Sequence, residues 1–368
     1  MQHGGDVISY REFFSGELLD FSSNINPLGF PPGLSTALSK NLAVLQQYPD
    51  IQYRALKQEV AAYLGCTSER VIVGNGAMEI IDAFMQHCDA TVVCPPCFSE
   101  YKTRASVHRK KIIEVPQLYR GYFSLDETSI EKALHKKSML VLTNPNNPTG
   151  HTISREQLER IYKIVLEKKA FLLLDETFFE FTELRYDSVA LFKKYEYHNV
   201  AIIRAATKFF GLPGLRLAYA CTSEKTAATI SSYQLSWHVN ALAEIAGTVI
   251  FRDKSYIEKS KAYIKVEREF LLHELKKISG ILVFKTEANF ILLRLDSATA
   301  DEVFDFFVRR GIILRKANNF FTVFGNTPDA ELALAEWIRI AVKSHADNLK
   351  LISVFREWSA QNDRTRFD

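Results

Sequence analysis

Lys208 sits between an apolar run at residues 200–203 and a loop broken by Gly211, Pro213 and Gly214. A lysine at a strand end in apolar company is a candidate for a lowered pKa, and its neutral amine is a nucleophile. Arg216 follows just before a second apolar run and offers a fixed anion fork. The pair suggests a Schiff-base lysine beside a bound phosphate. The plainer alternative is a surface lysine and arginine that frame a turn. Upstream, the apolar run 170–174 ends in Asp175 and Glu176, with Phe178 and Phe179 close behind. An ionised carboxylate in those surroundings is costly unless a cation pairs with it, and a protonated pyridine nitrogen is one such cation. Gly74, Asn75 and Gly76 join an apolar strand at 71–73 to a helix at 77–87. That geometry binds phosphate through free backbone N–H groups, although a tight turn needs glycine in any case. It is not the GxGxxG of a dinucleotide fold. The segment Asn144 to Gly150, NPNNPTG, is a rigid loop whose side-chain amides can hydrogen-bond a ligand.

Positioning these groups requires a buried sheet. Short apolar runs at 71–73, 91–94, 112–115, 138–142, 170–174, 200–203 and 216–220 alternate with helical stretches. That alternation predicts an α/β core, a mostly parallel sheet with helices on both faces, whose strand ends carry the ligand groups. Ser154 is placed to cap a helix that runs to about residue 168. After residue 220 the pattern changes to long helices at 237–251 and 254–277, strands at 281–284 and 289–293, and a helix at 299–310. Strands at 312–314 and 320–324 and a helix at 328–344 follow, together a small α+β lobe. The N-terminal stretch LDFSSNINPLG, Leu19 to Gly29, is irregular chain pinned by Leu19, Phe21, Ile25 and Leu28; it lines a site or is a plain arm. The expected organisation is an arm at 1–30, a large domain at 31–250, a small domain at 251–345 and a tail at 346–368 with a weak helix at 349–358.

The bulk numbers exclude several classes. The 368 residues are too many for one small core. A formal charge of +3 is too small to make nucleic acid the main partner. No apolar run is long enough to span a bilayer, and the first thirty residues show no signal peptide. Five cysteines point to a reduced compartment, the cytoplasm. Cys94 and Cys97 form a CPPC without a second CxxC or CxxH, which favours packing over redox chemistry or metal.

The order of these parts resembles the fold-type I pyridoxal-phosphate enzymes, the aspartate aminotransferase superfamily. The motifs that carry the resemblance are Asn144 to Gly150, Asp175-Glu176, and Thr207-Lys208 with Gly214-Leu215-Arg216. It implies a seven-stranded-type sheet in a large domain, a small α+β domain, and pyridoxal 5′-phosphate as cofactor. By position, Lys208 would bind the cofactor and move protons at Cα, and Asp175 would pair with the pyridinium nitrogen. Asn147 would reach the ring hydroxyl and Phe98 would stack on the ring. Gly76, Ala77, Met78, Thr207 and Arg216 would surround the phosphate. Tyr48 would reach the phosphate of a second copy, which implies a homodimer with a shared site. The YPD, GNG and NPNNPTG segments resemble histidinol-phosphate aminotransferases. His3-Gly4-Gly5, the DFSSNINPLG arm and Trp237 to Ala241 resemble the threonine-phosphate decarboxylases of cobalamin biosynthesis. The implied substrate is a phosphorylated amino acid, held by His3, Gly4, Asn24, Asn26, Asn147 and Arg315. Three departures stand out. Ala205 replaces a phosphate-binding serine, Phe178 replaces a tyrosine common in aminotransferases, and Thr322 stands where the family's C-terminal strand carries an arginine.

Overall fold

The apolar runs become strands because nearly every residue in them can be buried on both faces. The structure, a computed structural model, describes residues 4–321 and 336–365. Its main sheet has seven strands. Their order is Val71–Gly74, Ala218–Thr222, Val200–Ala205, Phe171–Asp175, Ser138–Thr143, Ala90–Val93 and Lys111–Glu114. Ala218–Thr222 runs antiparallel to both of its neighbours, and the other pairings are parallel. The strands Phe171–Asp175 and Ser138–Thr143 therefore end side by side, with Thr143 opposite Asp175. Helices cover both faces of the sheet and bury two apolar clusters against it. Cys94 lies in one cluster and Cys97 in the other, so the CPPC segment packs both ways. Burial pushes the Cys97 thiol up to about 12 and raises that of Cys94 as well, away from thiolate chemistry.

A second, antiparallel sheet has the order Ile281–Val283, Phe290–Leu295, Glu336–Ala341 and Arg315–Lys316. The N-terminal strand Leu19–Asp20 pairs in parallel with Ile312–Ile313, which ties the arm to this part of the molecule. Capping sets several helix starts. Ser154 accepts from Gln157 N, and Thr299 and Glu302 form a reciprocal capping box.

Three expectations change. The helix expected at 237–251 starts at Ala241, where the Asn240 side chain caps it, because Trp237 has a left-handed φ of 54°. The helix expected at 328–344 is replaced over its described part by the strand Glu336–Ala341. The rest of that stretch, and most of the strand expected at 320–324, lie outside the described residues. The weak C-terminal helix is instead His345–Thr365, which buries Leu351, Ile352, Phe355 and Trp358 and packs on Lys254–Leu275. No described helix is long and apolar enough to cross a membrane.

Candidate active site

Asp175 ends its strand inside the sheet's C-terminal edge, beside a cavity of about 230 Å³. Its carboxylate is nearly closed off from solvent but fully engaged. Oδ2 accepts from the Tyr101 hydroxyl at 2.7 Å, and Oδ1 accepts from Thr177 N at 2.9 Å and Thr177 Oγ1 at 2.6 Å. These bonds fix the direction of the carboxylate. Tyr101 comes from the first turn of the helix Glu100–Val107 and is wholly buried. Phe98, one turn earlier, meets it edge-on at 5.6 Å and also lines the cavity.

At one end of the cavity the turn Gly74 to Gly76 leads into the helix Ala77–His87. Gly76 has φ 85°, and a Cβ there would lie 2.1 Å from Arg216 Nη2. Only glycine lets the guanidinium lie against the turn at the helix N-terminus. Arg216 itself is left-handed at φ 62°, and its Nη1 donates to the Pro213 carbonyl at 3.1 Å. Thr207 and Ala205 complete this end. A helix N-terminus, a guanidinium and a hydroxyl lie there, groups that suit an anion such as phosphate.

Lys208 faces the middle of the cavity. Part of its surface remains open, and that surface borders the cavity. Burial lowers its ammonium to about 8, aided by the nearby charges of Arg339 and Arg216 and opposed by Asp20. A substantial neutral fraction at neutral to mildly basic pH suits a nucleophilic amine. Arg315 and Arg339 also line the cavity and are buried, with guanidinium carbons 5.1 and 5.5 Å from the centre of the Phe320 ring. Arg339 Nη1 donates to Asn147 Oδ1 at 2.6 Å, and Nη2 donates to the Ser22 carbonyl at 2.8 Å. The first bond identifies the amide oxygen of Asn147 and leaves its Nδ2 hydrogens for another partner. Desolvation disfavours the charge on both arginines, yet guanidinium keeps its proton at neutral pH. Arg339 Nε and Asn24 Oδ1 are buried without a hydrogen-bond partner among the described residues. Buried orphans beside a cavity call for a polar ligand.

The structure brings together Gly4, Asn24, Ala77, Met78, Phe98, Asn147, Asp175, Thr207, Lys208, Arg216 and Arg315 around one cavity, with Gly76 behind Arg216. Asn26 does not line it. Its Nδ2 donates to Phe209 O, Tyr256 Oη and Ser260 Oγ, and its Oδ1 accepts from Leu28 N, so its amide is spent on holding the arm. Tyr48 lies outside the cavity, 81% exposed, with its ring 4.7 Å from that of Trp237. His3 and Thr322 lie outside the described residues. The C-terminal strand Glu336–Ala341 does carry an arginine, Arg339, and that residue lines the cavity. The signal for it is the run Trp337 to Val342, a single arginine among β-branched and aromatic neighbours. Tyr101, Ser22, Ser23 and Phe320 also line the cavity without having been singled out.

These residues fit pyridoxal 5′-phosphate. The Arg216 guanidinium lies against the Gly76 turn, the Asp175 carboxylate is fixed by three hydrogen bonds beside the cavity, and Lys208, Arg315 and Arg339 line the same cavity. The model of aminotransferase class I and II matches residues 17–355, almost the whole chain. The chain belongs to this family. Its cofactor is accordingly pyridoxal 5′-phosphate, and its fold is fold type I. A protein of Caldanaerobacter subterraneus subsp. tengcongensis, named "Putative threonine-phosphate decarboxylase", is 36% identical over 359 residues, covering 96% of this chain and 93% of the relative. The adenosylcobalamin biosynthesis bifunctional protein CobDQ of Leptospira interrogans is 32% identical over 96% of this chain, which spans 40% of that longer protein. The crystal structure of the histidinol-phosphate aminotransferase from Clostridium acetobutylicum superposes with a TM-score of 0.85 at 32% identity, over 94% of this chain and all of that one.

Proposed function

We propose that this enzyme decarboxylates an O-phosphorylated hydroxy amino acid, threonine phosphate or serine phosphate, and releases the amino-alcohol phosphate. The observation that carries this reading is the pair of buried guanidiniums, Arg315 and Arg339, which line the same cavity as Lys208 and Arg216. Two cations there match a substrate with two anionic groups, a carboxylate and a phosphate. Histidinol phosphate carries only one. The names of the two relatives support the same substrate class and a place in cobalamin biosynthesis, where the product would serve as the linker of the nucleotide loop.

When bound, pyridoxal 5′-phosphate supplies an electron sink conjugated to the substrate's Cα. Arg216, Thr207 and the Gly76–Ala77 backbone would hold its phosphate, Phe98 would cover its ring, and Asn147 Nδ2 would donate to its ring oxygen. Asp175, held by Tyr101 and Thr177, would keep a positive ring nitrogen in place. Arg339, next to Asn147, would take the substrate carboxylate, and Arg315 the substrate phosphate. Decarboxylation exchanges the Cα carboxylate for a proton, and Lys208 would hold that proton. A pKa near 8 lets Lys208 carry and release it close to neutral pH.

A second reading, a histidinol-phosphate-type aminotransferase, is favoured by the full-length likeness to the Clostridium acetobutylicum enzyme. Product analysis separates the two. With threonine phosphate or serine phosphate the expected products are CO₂ and an amine that keeps its nitrogen. A keto acid with the amino form of the cofactor would instead establish the aminotransferase. The active unit is proposed to be a homodimer in which Tyr48 reaches the cofactor phosphate of the second copy.

A further inference from the structure

Asp20 sits at the end of the short strand Leu19–Asp20, and its carboxylate is occupied by its own arm. Oδ1 accepts from Ser22 N at 2.8 Å and from Ser22 Oγ at 2.5 Å, and Oδ2 accepts from Ser23 Oγ. Both serines border the cavity. The turn that results delivers the Ser22 carbonyl to Arg339 Nη2 at 2.8 Å. It also presents Ser22 Oγ to Gly5 N at 2.9 Å. A Cβ at Gly4 would fall 2.1 Å from the same Ser22 carbonyl oxygen, so the start of the arm closes on that atom too. Arg339 is thus held from two sides, by Asn147 and by Ser22, with its Nε turned to no partner among the described residues.

We propose that Asp20 is the positioning residue of the substrate pocket: through Ser22 it fixes the Arg339 guanidinium in the orientation that receives the substrate's anionic group. This rests on the reading above, in which Arg339 takes an anion of the substrate. Asp20 also acts through its charge. It opposes the effect of burial on Lys208, Arg339 and Lys343 alike. The two roles have opposite consequences for binding. Removing a negative charge beside a cationic pocket tightens an anion, whereas releasing the turn lets Arg339 rotate and weakens it.

Two variants separate the roles. Asp20→Asn keeps an acceptor at the right distance and loses the charge. Asp20→Glu keeps the charge and moves the carboxylate by one methylene, out of register with Ser22 and Ser23. The holoenzymes are compared by the Kd for acetate, a simple carboxylate, and for O-phospho-L-threonine, read from the perturbation of the visible band, and by KM and kcat. Positioning predicts that Asp20→Glu raises Kd and KM at least tenfold, with the visible band per subunit retained. It predicts that Asp20→Asn stays much closer to the parent. If Asp20→Glu bound like the parent while Asp20→Asn bound more tightly, Asp20 would act by charge alone and the proposal would be wrong. Loss of the visible band in step with binding would equally overturn it, as damage to the whole site. A parent enzyme that took acetate but not O-phospho-L-threonine would remove threonine phosphate as the substrate and leave the Asp20 comparison to be read with acetate. A parent that took neither would overturn both.

Discussion

Lys208 is a buried amine near two arginines, and its proton is therefore a stability term besides its proposed part in the chemistry. Its pKa is lowered from an ordinary 10.5 to about 8 in the folded protein. Between those two values the unfolded chain holds a proton that the folded chain does not, so stability rises with pH across that window. The gap is worth on the order of 3 kcal/mol as an upper bound. In cofactor-free protein the urea midpoint of the parent should therefore gain on that of Lys208→Met as pH climbs from about 8 to 10.5. Parallel midpoints would mean that the amine is not desolvated. Nearby, Ala205 is buried at the phosphate end without a hydroxyl. Ala205→Ser should add one hydrogen bond to the cofactor phosphate, worth about 1 kcal/mol, and slow cofactor loss on dialysis roughly fivefold. Unchanged loss would show that the phosphate is already saturated. Lys208, Asp175, Asn147 and Arg216 were legible in the sequence because each sits at a strand end or in a Gly/Pro-rich loop, where local pattern announces it. Asn26 misled because its partners, Phe209, Tyr256 and Ser260, lie about two hundred positions away, and no local pattern reveals that an amide is already satisfied.

At the scale of elements, the strand that ends in Asp175 and the strand that leads toward Lys208 are tied together by a buried ion pair. Arg204 donates through Nε and Nη2 to Glu176 Oε2 at 3.0 and 2.8 Å and through Nη2 to Asp187 at 2.9 Å, and its guanidinium lies 3.9 Å from the centre of the Phe179 ring. Ser188 donates to the same Glu176 carboxylate. Glu176 and Arg204 are both buried, so breaking the pair strands a charge. Arg204→Met should destabilise the fold by about 3–5 kcal/mol, seen as a lower denaturant midpoint. A loss under about 1 kcal/mol would mean that Glu176 is readily neutralised. The main sheet was legible because its strands are continuous apolar runs. The C-terminal strand was not. Glu336–Ala341 is one of four antiparallel strands with alternating demands, and a charged residue in its middle reads as helix surface until the partner strand Phe290–Leu295 is known.

At the scale of the whole molecule, one face is conspicuously apolar. Leu42, Leu45, Tyr48, Ile51, Leu235 and Trp237 are all exposed, with Leu235 and Tyr48 at 81% each. Residues this apolar, drawn from two segments that meet at the Tyr48–Trp237 contact, suit an isologous interface. Sedimentation should give twice the 42.0 kDa chain mass. Leu235→Lys should raise the dimer dissociation constant roughly 10²-fold, because a symmetric interface loses the leucine twice, and activity should fall with the dimer. A monomeric, fully active parent would remove the shared site. The bond from Arg339 to Ser22 has a consequence in time. It joins residues 317 positions apart, and the arm strand at Asp20 pairs with Ile313. A ribosome adding ~5–20 residues per second needs some 15–60 seconds to travel between them. Throughout that interval the Ser22 carbonyl has no Arg339 to receive it, although Asn26 of the same arm can already reach Phe209, Tyr256 and Ser260. A chain stopped before Arg339 lacks the residue on which arm, loop and strand converge.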